Sequence, residues 1–214
     1  MNPEPKTYPS INALHADVRR LLKKYKCQYE LHQVRAQFMG AIASPMEQVN
    51  PMQEIKALWQ GALPPFKNME SVNELLGVLA LGLWNQLSKH CDEEHPFELT
   101  AFTEVSNGKE LRQFAQIKRD EIKCFIQGFF QGQEKIKLPP QIGESLDVLE
   151  DLVGMFAGIV NIPKNVHESK DEIKGLMEQL TKIAEIAQKE INIIIVASAQ
   201  ARQQSTRSLP RTLH

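Results

Sequence analysis

Phe125-Ile126-Gln127-Gly128-Phe129-Phe130-Gln131-Gly132 closes one apolar stretch of the chain, and Gly143-Glu144-Ser145-Leu146-Asp147-Val148-Leu149-Glu150-Asp151-Leu152 opens the next. Between them Pro139-Pro140 forbids one continuous helix, because proline lacks an N–H and disfavours helical backbone in the residue before it. Upstream, Leu111, Phe114, Ile117, Ile122, Phe125, Ile126 and Phe129 recur at helical spacing. Downstream, Leu146, Leu149, Leu152, Val153 and Phe156 do the same, with Glu144, Asp147, Glu150 and Asp151 on the other side. The stretch reads as a packing hairpin of two helices, aromatics and glycines inside and carboxylates outside. Nothing in it is chemistry.

Working outward, the same punctuation recurs. Ser10 caps a helix carrying Leu14, Val18, Leu21, Leu22 and Tyr25 on one face, and Arg19, Arg20, Lys23, Lys24 and Lys26 cover the other as a solvated face. From Tyr29 a second helix carries Leu31, Val34, Phe38 and Ile42, with Gly40, Ala41 and Ala43 permitting close approach before Ser44-Pro45 ends it. Asn50-Pro51-Met52-Gln53 starts a short helix with Ile55, Leu58 and Trp59, which Pro64-Pro65 ends. Ser71-Val72-Asn73-Glu74 has the pattern of a capping box, and the stripe Leu75, Leu76, Leu79, Leu83 and Leu87 behind it predicts a central helix, close-packed at Gly77 and Gly82 and ending near His90. Pro96-Phe97-Glu98-Leu99 then returns Phe97, Leu99 and Phe102 to the bundle. After a break at Pro163, Ser169-Lys170-Asp171-Glu172 is another capping box, and it starts the longest helix, with Ile173, Leu180, Ala187, Ile191 and Ile194 in register.

No alternation of apolar and polar residues competes with the helical period. The expected fold is all-α, a compact multihelical bundle of six to eight helices in a single domain over residues 10–201, with a loose leader before it (1–9) and a disordered basic tail after it (202–214).

The 214 residues, 42% hydrophobic, suffice for a core without metal or disulfide. A net charge of −1 disfavours nucleic acid as a partner, and Arg202, Arg207 and Arg211 read as a solubilising tail. Cys27, Cys91 and Cys124 are odd in number and widely spaced, as for reduced thiols of a cytoplasmic protein, and no secretory signal or membrane-spanning run is visible. His90-Cys91-Asp92-Glu93-Glu94-His95 groups metal-competent side chains, but structural zinc needs a second spaced pair, so a polar loop is expected and no metal or other cofactor. Cys27 and His32 share a helix side only if one helix runs through both. Gly128-x-x-x-Gly132 and Gly154-x-x-x-Gly158 lack the lysine and hydroxyl of a phosphate loop and read as close helix packing or caps. No catalytic constellation emerges.

Three segments in this order resemble the YgfB/YecA family of small bacterial helical proteins. Glu30-Leu31-His32, with the small-residue end Gly40-Ala41, is similar to its Glu-Leu-His-Gly helix. Phe125 to Gly132 is similar to its Trp-x-Gln-Gly-Phe-Leu-x-Gly signature, and Glu144 to Leu152 to its Glu-Ala-x-x-Asp-Leu helix. The likeness spans roughly residues 29–196. Phe125 stands for the tryptophan, Gln33 and Gln37 stand where glycine is usual, the acidic run before the last helix is thinned to Glu168, Asp171 and Glu172, and the cysteine-rich metal-binding tail of longer members is missing. The resemblance implies a compact multihelical fold compatible with a dimer and, for some members, a regulatory, protein-binding role.

Two functional readings follow. In the first, the protein is a non-catalytic interaction or regulatory protein that forms a homodimer or takes a protein partner. Ile191 to Val196 is apolar on too many sides for one buried face, so that helix is either central in the core or part of an interface, and in the second case Ile191, Ile194 and Ile195 would form it. In the second it is an enzyme or small-ligand binder with a pocket between helices near His32, Trp84 and Gln127.

Overall fold

The computed structural model describes residues 8–46, 49–102, 105–133, 136–162 and 169–208. They form seven helical rods and no strand, so the expected all-α bundle is what folds. The rods are α1 (Ile11–Lys24), α2 (Leu31–Ala43), α3 (Pro51–Ala57), α4 (Met69–Leu76) continuing through a π-helical stretch (Gly77–Trp84) into α5 (Asn85–Leu87), then α6 (Gly108–Phe130), α7 (Pro140–Val160) and α8 (Lys170–Ser208). No helix among the described residues is long and apolar enough to cross a membrane.

Most starts follow local capping chemistry. The Ala13 amide donates to Ser10 Oγ at 3.3 Å, Met52 N to Asn50 Oδ1 at 2.9 Å, and Glu110 N to Asn107 Oδ1 at 3.0 Å. Ser169 and Glu172 bond reciprocally, Ser169 N to Glu172 Oε2 at 2.7 Å and Glu172 N to Ser169 Oγ at 3.3 Å. Three boundaries differ from the sequence reading. α4 starts at Met69, capped by Asn68, whose Oδ1 accepts from Ser71 N at 2.9 Å. Ser71 cannot form the box because Glu74 is drawn to α1, 2.8 Å from Arg20 and 2.9 Å from Lys24. α3 stops before Pro64-Pro65, where Gln60 and Gly61 turn left-handed at φ 59° and 92°. α7 begins at Pro140 itself, since proline fits the first turn of a helix. Replacing Asn68 by alanine is expected to cost about 1 kcal/mol in urea unfolding, and Ser71→Ala close to nothing.

The leucine stripe explains the π-helical stretch. Leu75, Leu79, Leu83 and Leu87 are all buried and repeat every fourth residue. In an α-helix that spacing drifts by about 40° per step, and wider i→i+5 turns hold the stripe on one face.

The centre of the bundle is α2 rather than the leucine helix. From Ala36 to Ala43 every residue of α2 is buried, and α6, α8 and the π stretch pack around it. α6 lies so close that a Cβ on Gly40 would collide with the Phe125 carbonyl, and one on Gly128 with the Gln37 carbonyl. Gly82 faces Leu14 of α1, whereas Gly77, Gly154 and Gly158 meet open space, against the expected close contacts at those three. Gly132 follows the left-handed Gln131 that ends α6.

α8 seals the opposite side. Ile191, Ile194 and Ile195 are each 0% exposed, so of the two expected places they take the core, and the interface reading of these three is corrected. The helix also runs past residue 201, so the expected disordered tail is corrected over 202–208. Its anchor is Arg202, whose guanidinium donates to Ile42 O at 2.8 Å and Ser44 O at 2.5 Å, supplying donors that the last turn of α2 lacks beside Pro45. At the other end, Tyr8 of the expected loose leader donates from its hydroxyl to Asp17 at 3.5 Å. The break at Pro163, the leader up to residue 7 and the tail beyond Ser208 lie outside the described residues.

Candidate functional site

α1 crosses the start of α2, and the segment from Pro96 to Ala101 lies alongside both. The three enclose a cleft of about 1040 Å³. α1 contributes His15, Arg19 and Lys23, and α2 contributes Glu30, His32 and Arg35. The third wall brings Glu98 and Thr100, the chain just before it brings His90 and His95, and Leu22, Leu31 and Leu99 make an apolar side.

The third wall has no secondary structure, yet side chains hold its backbone throughout. Phe97 N donates to Asn192 Oδ1 at 2.7 Å and Phe97 O accepts from Asn192 Nδ2 at 2.9 Å. Leu99 N donates to Gln188 Oε1 at 3.0 Å. Thr100 donates from N and Oγ1 to Glu121 Oε1 at 2.8 and 2.7 Å, and its carbonyl accepts from Lys118 Nζ at 2.5 Å. Lys118 and Glu121, 4% and 0% exposed, complete a buried pair at 3.3 Å. An amide would still accept from Thr100 but would strand the Lys118 charge. Glu121→Gln is therefore expected to cost about 2 kcal/mol in urea unfolding, and the Glu121→Gln/Lys118→Met pair less than the single change.

Arg35 lies deepest. One terminal nitrogen donates to Glu98 O at 3.0 Å and the guanidinium stacks 5.2 Å from the Phe97 ring, while Nε is buried without a hydrogen-bond partner. Burial lowers its pKa against the opposing pull of Glu121 and Glu98, but an arginine remains charged. His15 Nε2 and His32 Nε2 are likewise buried and unpartnered, and His32 Nδ1 lies 3.5 Å from Glu30 Oε2.

Burial, with Arg35 and then Arg19 nearby, lowers His15 from 6.5 to about 4. Its folded form thus favours neutrality, while the unfolded chain takes a proton near 6.5. Stability contributed by neutral His15 is present above pH 6.5 and drains away as the pH falls towards 4. His15→Gln is expected to flatten that limb of a melting-temperature profile between pH 7 and 4.

Of the side chains singled out from sequence, His32 lines this cleft and the other two do not. Trp84 is buried, its ring edge-on to Phe38 at a centroid distance of 5.3 Å, and Gln127 is exposed on α6. The expected pocket around all three does not form. Cys27 and His32 both line the cleft, but Cys27 lies in the loop between α1 and α2, so no single helix runs through both. The Cys27 thiol donates to Leu58 O at 3.6 Å and burial raises its pKa, the opposite of what a nucleophile needs. In the loop after α5, His90 Nδ1 bonds His95 O and His95 Nδ1 bonds Asp92 Oδ1, both at 2.9 Å. Among the described residues no group of three or more His, Cys, Asp or Glu is placed to hold a metal ion.

Sequence reasoning missed His15, Arg35 and Asn192. The signals were present: His15 and Arg19 are four apart, His32 and Arg35 three apart, so each pair shares a helix face. Asn192 lies inside the apolar run Ile191 to Val196, where its neighbours dominate the pattern.

The fold and site define an all-helical protein with a cationic, histidine-bearing cleft between its first two helices. Compared with protein families, curated proteins and solved structures, the chain matches none.

Proposed function

We propose that the protein is a non-catalytic binding protein, of the YgfB/YecA type, whose working surface is the cleft between α1, α2 and the 96–101 segment. The observation that carries this reading is the convergence of His15, Arg19, His32 and Arg35, from two helices, on one cleft of about 1040 Å³ beside the apolar Leu22, Leu31 and Leu99. A largely preformed concavity with an apolar side and a few convergent polar groups is the usual form of a ligand site. The wall pinned by Asn192, Gln188 and Glu121 supports it, because a site held rigid before binding loses less entropy on binding.

The family reading rests on the sequence resemblance, and two of the segments that carry it, α2 and the end of α6, meet at Gly40 and Gly128. Three free cysteines support a reducing, cytoplasmic setting.

Backbone-amide NMR during a fragment screen tests the reading. Ligand-induced shifts should concentrate on residues 12–35 and 95–101. Shifts confined to the outer faces of α7 and α8 would place the working surface elsewhere.

A further inference from the structure

We propose that the protein self-associates by laying the outer face of α7 against the outer face of α1 on a second copy, carboxylates of the first meeting cations of the second. The inference does not rest on the cleft being the working surface.

α7 carries Glu144, Asp147, Glu150 and Asp151 and no lysine or arginine across its 21 residues. A solvated helix face ordinarily mixes the two signs and pairs them within a turn. Here none of the four carboxylates has a side-chain hydrogen bond or an ion pair among the described residues. The inward face of the helix is taken, since Leu146, Leu149, Leu152 and Phe156 are buried and Ser145 Oγ donates to Glu190 Oε2 at 2.7 Å. Outward, Glu144, Val148, Asp151, Met155 and Gly158 recur in alternating steps of four and three, so they share one strip, and all five are exposed. Val148 and Met155, 37% and 54% exposed, give that strip an apolar seam. Gly154 and Gly158 meet open space, which lets another backbone come close.

The matching strip is on α1. Asn12, Ala16, Arg19 and Lys23 fall at the same steps and are all exposed. Arg20 and Lys24 are taken by Glu74, and Asp17, the one acid of α1, by Arg20, whereas Arg19 and Lys23 have no acidic partner. Run antiparallel with Asp151 opposite Arg19, the two helices bring Asp147 opposite Lys23 and Gly154 opposite Ala16. The stems of Arg19 and Lys23 then cover Val148 and Met155 while their heads meet the carboxylates. The chain holds both halves of the contact, and its net charge of −1 sets no general repulsion between copies. Arg19 and Lys23 also stand on the α1 wall of the cleft, so a docked copy borders its mouth.

Light scattering and sedimentation of the full chain test this. The mass should exceed that of one chain at about 0.01 M salt and return to it at about 1 M, as the screening length falls from about 30 to about 3 Å. Asp147→Lys/Asp151→Lys and Arg19→Glu/Lys23→Glu should each be monomeric alone, because each sets like charges against each other. Mixed in equal amounts they should associate again, since the lysines of one variant face the glutamates of the other. All four side chains are exposed, and circular dichroism checks that each variant is folded. If either is not, Asp147→Asn/Asp151→Asn and Arg19→Gln/Lys23→Gln should each weaken association by about tenfold or more. A single-chain mass at low salt would overturn the inference, as would association that survives in both charge-reversed variants. Loss in the α7 variant alone would show that α7 meets something other than α1 and overturns it too. None of these masses bears on the cleft reading, which the fragment screen decides.

Discussion

Gly128→Ala is expected to remove more than about 4 kcal/mol of stability, a loss reserved for changes that a core cannot absorb. The added methyl is small, but it meets a main-chain carbonyl rather than a movable side chain. A Cβ on Gly128 lands on Gln37 O, and a Cβ on Gly40 lands on Phe125 O. Each glycine thus admits the backbone of the opposite helix, and relief requires α2 and α6 to move apart. That separation loosens Phe38, Met39, Phe125 and Phe129, each 0% exposed at the heart of the bundle. With total stabilities of about 5–15 kcal/mol, the double change Gly40→Ala/Gly128→Ala should leave no folded protein. Gly154→Ala is the control. It is an exposed helical glycine with open space around it, so alanine should stabilise by about 0.5–1 kcal/mol through helix propensity. Urea unfolding followed by circular dichroism reads both signs, and equal small effects at Gly128 and Gly154 would show that α2 and α6 do not touch backbone to backbone.

What the sequence made legible was whatever depends on a few neighbouring residues. Ser10, Asn50 and the Ser169–Glu172 pair cap the helices they were expected to cap, because each bond closes within three residues. Where a distant group competes, local reading fails. Glu74 has the right position to complete a box with Ser71, but two cations on α1 claim it, and the helix starts at Asn68 instead. The centrality of α2 was hidden for a related reason. Its face towards α6 includes Gly40, Ala41 and the buried Gln37, whose small or polar side chains carry little hydrophobic signal although they permit a backbone-to-backbone approach. Gln37 Nε2 donates to the buried Glu54 carboxylate at 3.5 Å, and burial raises the Glu54 pKa, an arrangement that no periodicity encodes. The cleft was legible only in part. His32 stood out beside its apolar stripe, whereas His15 and Arg35 become neighbours only once α1 crosses α2, and the third wall is held by residues some 90 positions along the chain, with Asn192 and Phe97 separated by 95.

Ile194→Ser/Ile195→Ser should unfold the protein rather than dissociate a dimer. Both side chains are 0% exposed within one chain, and neighbouring residues on a helix point about 100° apart, so the pair anchors α8 on two sides at once. Truncating a buried isoleucine costs about 2–5 kcal/mol, and a serine hydroxyl left without a partner there adds about 1–3 kcal/mol. Even with partial overlap between neighbours, the sum reaches the whole stability of an ordinary domain. The damage would also spread, because α8 carries Asn192 and Gln188, which hold the wall of the cleft, and Arg202, which closes the end of α2. Ile186→Ser, at a position 46% exposed, should change stability by no more than about 0.5 kcal/mol. Circular dichroism with light scattering separates the possibilities. Loss of helical signal in the double variant, with Ile186→Ser unaffected, places the isoleucines in the core of each chain. A folded variant of half the wild-type mass would instead return them to an interface between two copies. In that case α8 could not be the element that fixes the cleft wall in a single chain, and the pinning of Phe97 by Asn192 would have to be re-examined across two subunits.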